Sequence, residues 1–323
     1  MTHWQPASDA VAAGTRATLL RRIRQYFVTA GVLEVDTPAL SSYAVSDTQI
    51  ESFEIAQSQV SPSRLFLNTS AEFSMKRLLA AGYPDIFSIC RVFRDGESGQ
   101  QHQPEFTMIE WYRLGFDLRE IVKDTLAVID AALSDEVCTA EPIIVDYRDA
   151  FLQTINVDPL TTSTEGLAEA TNADHDLREA VGDYHDDWLD LVLATRIVPN
   201  FAKDRLTVLQ HYPASQAALA RLCPHESSVA DRFEIFYGAI ELANGYVELT
   251  DATEQSRRID ADDAERQRRN RAVRPRDVQL LAALDSGLPQ CAGVAMGLER
   301  LQMVHDQTDD IRDVITFLFE ARE

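Results

Sequence analysis

The segment 91–113, RVFRDGESGQQHQPEFTMIEWYR, constrains the fold more than any other part of this chain. It continues an apolar run (Ile89, Cys90, Val92, Phe93), passes through a polar loop containing Gly96 and Gly99, and returns as a strand-like run from Phe106 to Tyr112. Two β-favouring runs joined by a glycine-containing loop predict an antiparallel hairpin with a long connection. Arg94 then stands at the base of the loop, with His102 and Phe106 near its return. A guanidinium pairs with phosphate and an aromatic ring stacks on a base, so the loop has the parts to wrap a nucleotide. A surface hairpin with a core phenylalanine has the same composition.

A second segment, GVAMGLERL (293–301), sets two glycines ahead of Arg300. Glycine lets backbone approach a ligand closely, and Arg300 is placed to reach a phosphate from the opposite side. Between the two lies FEIFYGAIELANGYVELT (233–250), which reads as two strands around the turn dipeptide Asn244-Gly245. Glu241 and Glu248 then occupy opposite arms of one hairpin. Two carboxylates beside phosphates suit Mg²⁺, which takes oxygen ligands. The apolar flanks Ile235, Ile240, Leu242, Val247 and Leu249 argue against a fully solvated hairpin.

The 323 residues suffice for one large domain or two small ones, and no linker, repeat or low-complexity tract divides them. Residues 15–30 place Leu19, Leu20, Ile23 and Phe27 on one helical face, leaving Arg21, Arg22 and Arg24 as a solvated one. Residues 64–69 read as a short strand. Residues 70–82 read as a helix capped by Ser70 with Glu72 in its first turn, and 117–134 as an amphipathic helix. The stretch 141–235 is helix-rich, with His175 and His185 on an exposed acidic helix, and 256–277 is a solvated polar helix. Hairpins with helices clustered between them predict an α+β fold on a largely antiparallel sheet. Cys90, Cys138, Cys223 and Cys291 are far apart without metal-ligand spacing, predicting reduced thiols in a cytoplasmic protein. The start, MTHWQPASDAVAAGTR, lacks the basic and apolar regions of a secretory signal.

Together GVLEVDTP (31–38), the 91–113 hairpin and GVAMGLERL resemble motifs 1, 2 and 3 of the class II aminoacyl-tRNA synthetases, in that order and across most of the chain. NTSAEFSMKRLL (68–79) and ELANGYVELTD (241–251) resemble the lysyl branch. The resemblance implies a catalytic core of six or seven antiparallel strands flanked by helices. It also implies a homodimer built on motif 1, and activation of a carboxylate by ATP and Mg²⁺ as an acyl-adenylate. It gives Arg94 to the α-phosphate, Arg300 to the γ-phosphate, and Glu241 to ATP and metal, with Glu248 as the second carboxylate. Gly96, Glu97, His102, Gln103, Phe106, Leu242 and Gly297 join the ATP site. Ser70, Glu72, Tyr112, Glu248 and Ala295 form the amino-acid pocket. The loop departs from the family at Asp95-Gly96, where many relatives carry Asn-Glu, and at Gln103, where many carry Asn.

Motif 1 begins at Gly31, which predicts a chain without the anticodon-binding barrel of a lysyl-tRNA synthetase. The net charge of −22 repels polyanions at long range, and lysine occurs only at 76, 123 and 203. These features match the truncated lysyl-tRNA synthetase paralogues that modify elongation factor P. The resemblance then implies transfer of (R)-β-lysine to the ε-amine of one lysine on that factor, with AMP and pyrophosphate released. Ala295 fits, because lysyl-tRNA synthetases usually carry glycine there. The alternatives are charging of tRNA through a patch at Arg266, Arg268, Arg269 and Arg271, ligation to another small acceptor, or a non-catalytic amino-acid sensor.

Overall fold

The computed structural model describes residues 4–134 and 140–319. Eight strands form the main sheet: β1 (Leu33–Glu34), β2 (Ile86–Phe93), β3 (Glu105–Leu114), β4 (Ile143–Asp146), β5 (Leu206–Gln210), β6 (Arg232–Tyr237), β7 (Ile240–Val247) and β8 (Cys291–Gly297). Their order is β1-β2-β3-β8-β7-β6-β5-β4. The six central strands pair antiparallel, as expected, but β1 on β2 and β4 on β5 are parallel. The sheet is therefore mixed, with two strands added at its edges. The chain reaches both edges through long helical crossovers, which is the connection parallel neighbours require. One crossover holds α2 (Glu72–Ala80). The other holds four short helices between β4 and β5, α4 (Tyr147–Ile155), α5 (Thr164–Thr171), α6 (His175–Val181) and α7 (His185–Val192), so the helix-rich stretch also carries two strands of the sheet.

One face of the sheet is covered by α1 (Ala10–Thr29) and α3 (Leu118–Leu133). Asp9 caps α1 by accepting from the amides of Val11 and Ala12, and Asp117 with Glu120 forms a full capping box on α3. Leu19, Ile23 and Phe27 of α1 are fully buried, and the Phe27 ring stacks 4.4 Å from Phe87 of β2. Arg21 and Arg24 are exposed as expected, whereas Arg22 donates to the Ala132 carbonyl at 3.0 Å. Ser70 is not the cap of α2: Ala71 holds that position, and the Ser70 hydroxyl accepts from the Glu72 amide at 3.2 Å.

The turn expected at Asn244-Gly245 lies elsewhere. Both residues sit inside β7, and the chain reverses at Gly238, whose φ is +55°. Gly245 is glycine for a different reason. A Cβ there would stand 2.8 Å from the Phe233 ring and from the Gly293 carbonyl on the neighbouring strands. The helix α8 (Ala252–Arg268), which α9 (Val278–Asp285) follows, is only partly solvated, because Arg266 is fully buried. No helix among the described residues is long and apolar enough to cross a membrane.

Candidate active site

The face of the sheet away from α1 and α3 opens into a cavity of about 1040 Å³. Strand alternation decides what lines it. Met108, Glu110 and Tyr112 of β3 face the cavity, while Ile109 and Trp111 enter the core. On β7 and just past its end, Asn244, Tyr246 and Glu248 face the cavity, and Ala243 and Val247 the core. Strict alternation would send Glu241 to the core side. A β-bulge between the Ile235–Ala243 and Phe236–Glu241 pairs inserts Leu242 as an extra residue, and Leu242 joins Ala243 in the core. The bulge thereby returns Glu241 to the functional face.

At one end of the cavity two carboxylates close on one ammonium, with a third, Glu110, lining the same cavity. Lys76 Nζ lies 2.6 Å from Glu72 Oε1 and 2.5 Å from Glu248 Oε2, and its side chain is 1% exposed. Tyr246 donates its hydroxyl to Glu72 at 2.7 Å. Glu110 accepts from the Tyr112 hydroxyl and the Ala71 amide, both at 2.9 Å. Burial, and then the charge of Glu72, push the Glu110 carboxyl up to about 8. Burial alone would lower the Lys76 ammonium, but Glu248 and Glu72 outweigh it and hold it above its ordinary value. Burial drives Glu248 upward and Lys76 opposes it; with the ammonium so close, the ion pair is the state this geometry holds.

Glycine makes this packing possible. A Cβ on Gly293 would stand 2.5 Å from both Glu248 Oε1 and the Tyr112 ring. Ala295 pairs across β8 with Glu110 on one side and Asn244 on the other, which sets its methyl in the pocket floor. Ser70, Glu72, Tyr112, Glu248, Ala295 and Arg94 all line the one cavity.

A second group gathers beside it. Arg300, in the first turn of α10 (Leu298–Asp306), donates from Nη1 to Glu241 Oε2 at 3.0 Å. Its Nη2 lies 2.7 Å from His102 Nε2. Burial and then Arg300 lower the His102 pKa, so the neutral imidazole accepts that bond. Desolvation works against the Glu241 charge, but Arg300 and then Arg94 hold it below the ordinary carboxylate range. Arg94 lies over the Phe106 ring at 5.2 Å and 3.5 Å from Glu97, and its buried Nε has no hydrogen-bond partner among the described residues.

Four expected residues are placed differently from the sequence reading. Glu241 and Glu248 lie on one strand, near its start and just past its end, so roughly 20 Å of backbone separates them. Glu248 is also closed on Lys76, so the two do not form a hairpin pair of metal ligands. Leu242 points into the core and has only backbone to offer. Gln103 is buried, and its side-chain carbonyl accepts from the Phe319 amide at 3.1 Å rather than facing a ligand. Gly96 (φ +82°) shapes the loop turn, and Gly297 lies against Arg300.

Sequence reasoning missed Lys76, Glu110, Tyr246 and Glu234. The signals were there: Lys76 follows Glu72 by one helical turn, and Glu110 and Tyr246 precede Tyr112 and Glu248 by one strand period. Glu234 is buried against Arg232 at 2.8 Å, and burial and then the charge of Glu241 push its carboxyl up.

An eight-stranded, largely antiparallel sheet with a hairpin arginine facing a helix-borne arginine defines a class II synthetase core. Residues 9–320 match the family described as tRNA synthetases class II (D, K and N), and the chain belongs to that family. It is 41% identical over 322 residues to the "Elongation factor P--(R)-beta-lysine ligase" of Pseudoalteromonas translucida (strain TAC 125), covering 97% of each chain. Proteins of the same name from Pectobacterium atrosepticum (39% identical, 99% of this chain and 98% of that one) and Haemophilus influenzae (38%, 98% of each) match equally broadly.

Proposed function

We propose that this chain activates (R)-β-lysine with ATP and transfers it to the ε-amine of a specific lysine on elongation factor P. The observation that carries the reading is the pocket of Glu72, Glu110 and Glu248, which opens into the same cavity as Arg94. Buried charges need partners. Three carboxylates in a pocket holding a single lysine leave negative charge for a substrate bearing two ammonium groups, and an apolar amino acid would leave that charge unmet. The relatives' printed name and their near-complete overlap support the same substrate and acceptor.

The substrate carboxylate attacks the α-phosphorus of ATP, and pyrophosphate leaves. The acceptor amine then attacks the acyl carbon, an amide forms and AMP leaves. No side chain on the cavity wall needs to act as a nucleophile. Arg94, whose Nε is buried and unpaired, and Arg300 neutralise and orient the phosphates. Their pairing with Glu97, Glu241 and His102 fills the same positions with internal partners. Glu241, an oxygen donor beside Arg300, would be the residue to hold Mg²⁺, and there the ion would neutralise phosphate charge. Glu248 is left to the substrate amine.

The described residues form one catalytic unit around one sheet, and a protein acceptor is favoured over tRNA. The arginines of the candidate RNA patch each have a partner within the chain: buried Arg266 on Glu51, Arg269 on Glu265 and Asp187, and the exposed Arg268 on Glu265 and Arg271 on the Thr48 carbonyl. A homodimer is part of the proposal; Val28, Leu33 and Leu40 stay exposed around α1 and motif 1, and light scattering should return twice the chain mass. Intact-protein mass spectrometry of elongation factor P incubated with the enzyme, ATP, Mg²⁺, (R)-β-lysine and bulk tRNA tests the function. A lysyl-sized mass gain with uncharged tRNA is expected; charged tRNA with unmodified protein overturns it.

The pocket predicts a proton balance. With Glu110 neutral, Glu72, Glu248 and Lys76 sum to a single negative charge. A second substrate ammonium favours ionised Glu110, so binding below pH 8 should release about one proton and tighten as pH rises toward 8. Calorimetry in buffers of different ionisation enthalpy reads this directly, and Glu110→Gln should remove the buffer dependence. Ala295→Gly should shift the ratio of kcat/KM between (R)-β-lysine and α-lysine toward α-lysine by roughly tenfold, as one methyl allows. An unchanged ratio in pyrophosphate exchange would remove Ala295 from the specificity determinants.

A further inference from the structure

Away from the cavity's charged pockets, three residues of different donor type meet where β5, β6 and a small two-stranded sheet converge. One donor atom each from His211, Cys223 and Asp231 lies within 4.8 Å of the others. His211 follows β5, Asp231 precedes β6, and Cys223 ends the short strand Leu222–Cys223, which pairs with Glu226–Ala230. In sequence the three spacings match no metal motif; the topology alone assembles them.

We propose that His211, Cys223 and Asp231 form a zinc-binding site that braces the Leu222–Ala230 hairpin against the end of the main sheet. A histidine nitrogen, a thiolate and a carboxylate are the three donor types zinc takes, and three protein ligands leave one position for water. Tetrahedral bonds of ~2.0–2.3 Å hold donors about 3.5 Å apart, so the cluster closes with a contraction of roughly 1 Å.

The surroundings are built as a metal site's outer partners are. Asp146 holds His211 Nδ1 at 2.8 Å, which leaves Nε2 as the binding nitrogen. Arg221 donates to Asp231 Oδ2 at 2.7 Å, fixing that carboxylate and leaving Oδ1. The backbone of the same segment is tied down by His211 N to Arg232 O at 2.9 Å, Ala230 N to Tyr212 O at 2.8 Å, and Asp231 N to Arg221 O at 3.0 Å. Cys223 carries a free thiol and is partly accessible, so an ion has an entry path. Binding converts the thiol to a thiolate and releases its proton to solvent. The braced hairpin adjoins Tyr212, Leu222 and Arg232, which line the cavity wall.

The test uses the full-length protein in a phosphine reductant with excess Mg²⁺, which occupies the phosphate-side carboxylates. After incubation with Zn²⁺ and desalting, wild type should retain about one zinc per chain by elemental analysis. Co²⁺ should give a near-ultraviolet thiolate charge-transfer band. Cys223→Ser should abolish the band, and His211→Asn, which suits the left-handed backbone at that position (φ +57°), should abolish retention. Cys223→Ser should keep pyrophosphate exchange, because none of the three ligands belongs to the proposed catalytic groups. Retention well below one equivalent, or a band unchanged in Cys223→Ser, overturns the site, and neither result depends on the proposed ligase activity.

Discussion

Replacing Arg300 with alanine is expected to lower adenylate formation by about 10²–10³-fold, the usual cost of removing a preorganised group from developing charge. Arg300 is held for this role by the first turn of α10 and by three internal contacts, to Glu241, His102 and the Gln101 carbonyl. Its position therefore does not depend on bound nucleotide. The substitution carries a second signature. His102 is lowered by burial and then by Arg300, so without the guanidinium its titration should move back toward the ordinary histidine range. ATP–pyrophosphate exchange measures the first effect, and NMR titration of the imidazole the second. Exchange within a few-fold of wild type would remove Arg300 from the phosphate site.

The other large effect is expected at Glu248. Glu248→Gln removes one of three carboxylates from the amine pocket and leaves Lys76 with Glu72 as its only anionic contact. Breaking one side of a buried ion pair costs about 3–5 kcal/mol, and a lost buried charge partner for the substrate amine costs a similar amount of binding. KM for (R)-β-lysine should rise by about 10²-fold or more while the KM for ATP changes little. Urea unfolding should show the stability loss. Lys76→Met separates the two contributions, because Lys76 sits behind the carboxylates. That variant should lose stability, and its three clustered carboxylates should take up protons, moving the pH profile of substrate binding upward. A Glu248→Gln enzyme with unchanged KM for the amino acid would remove the pocket from substrate recognition.

The sequence located the two arginines because each is fixed locally. Arg94 follows a strand whose pairing partner is the next strand in the chain, and Arg300 starts a helix straight after a strand. The substrate face of β3 was legible only in part. The sequence points to Tyr112 through the resemblance but not to Glu110, two residues earlier on the same face. The Asn244-Gly245 reading failed because a turn dipeptide and a close-packed strand glycine look alike in one dimension. What distinguishes them is the Phe233 ring, which occupies the place of a Cβ on Gly245. The error carried into the metal assignment, since a turn would have brought Glu241 and Glu248 together. A strand with a bulge keeps them on one face at opposite ends.

Local pattern by itself determined the α+β class, the core face of α1 and the long hairpin, which follow from alternation and helical periodicity, properties of neighbouring residues. The acidic amino-acid pocket was implied by the resemblance of 68–79 and 241–251 to the lysyl branch. Tertiary structure alone decided that β8 enters between β3 and β7, that parallel strands finish both sheet edges, and that Arg266 is buried against Glu51. It also decided that Lys76 stands between Glu72 and Glu248, and that His211, Cys223 and Asp231 meet. Each of these joins segments far apart in the chain. Such contacts form only once burial of a shared core offsets the entropy of closing the loops between them, and no window of sequence records that balance.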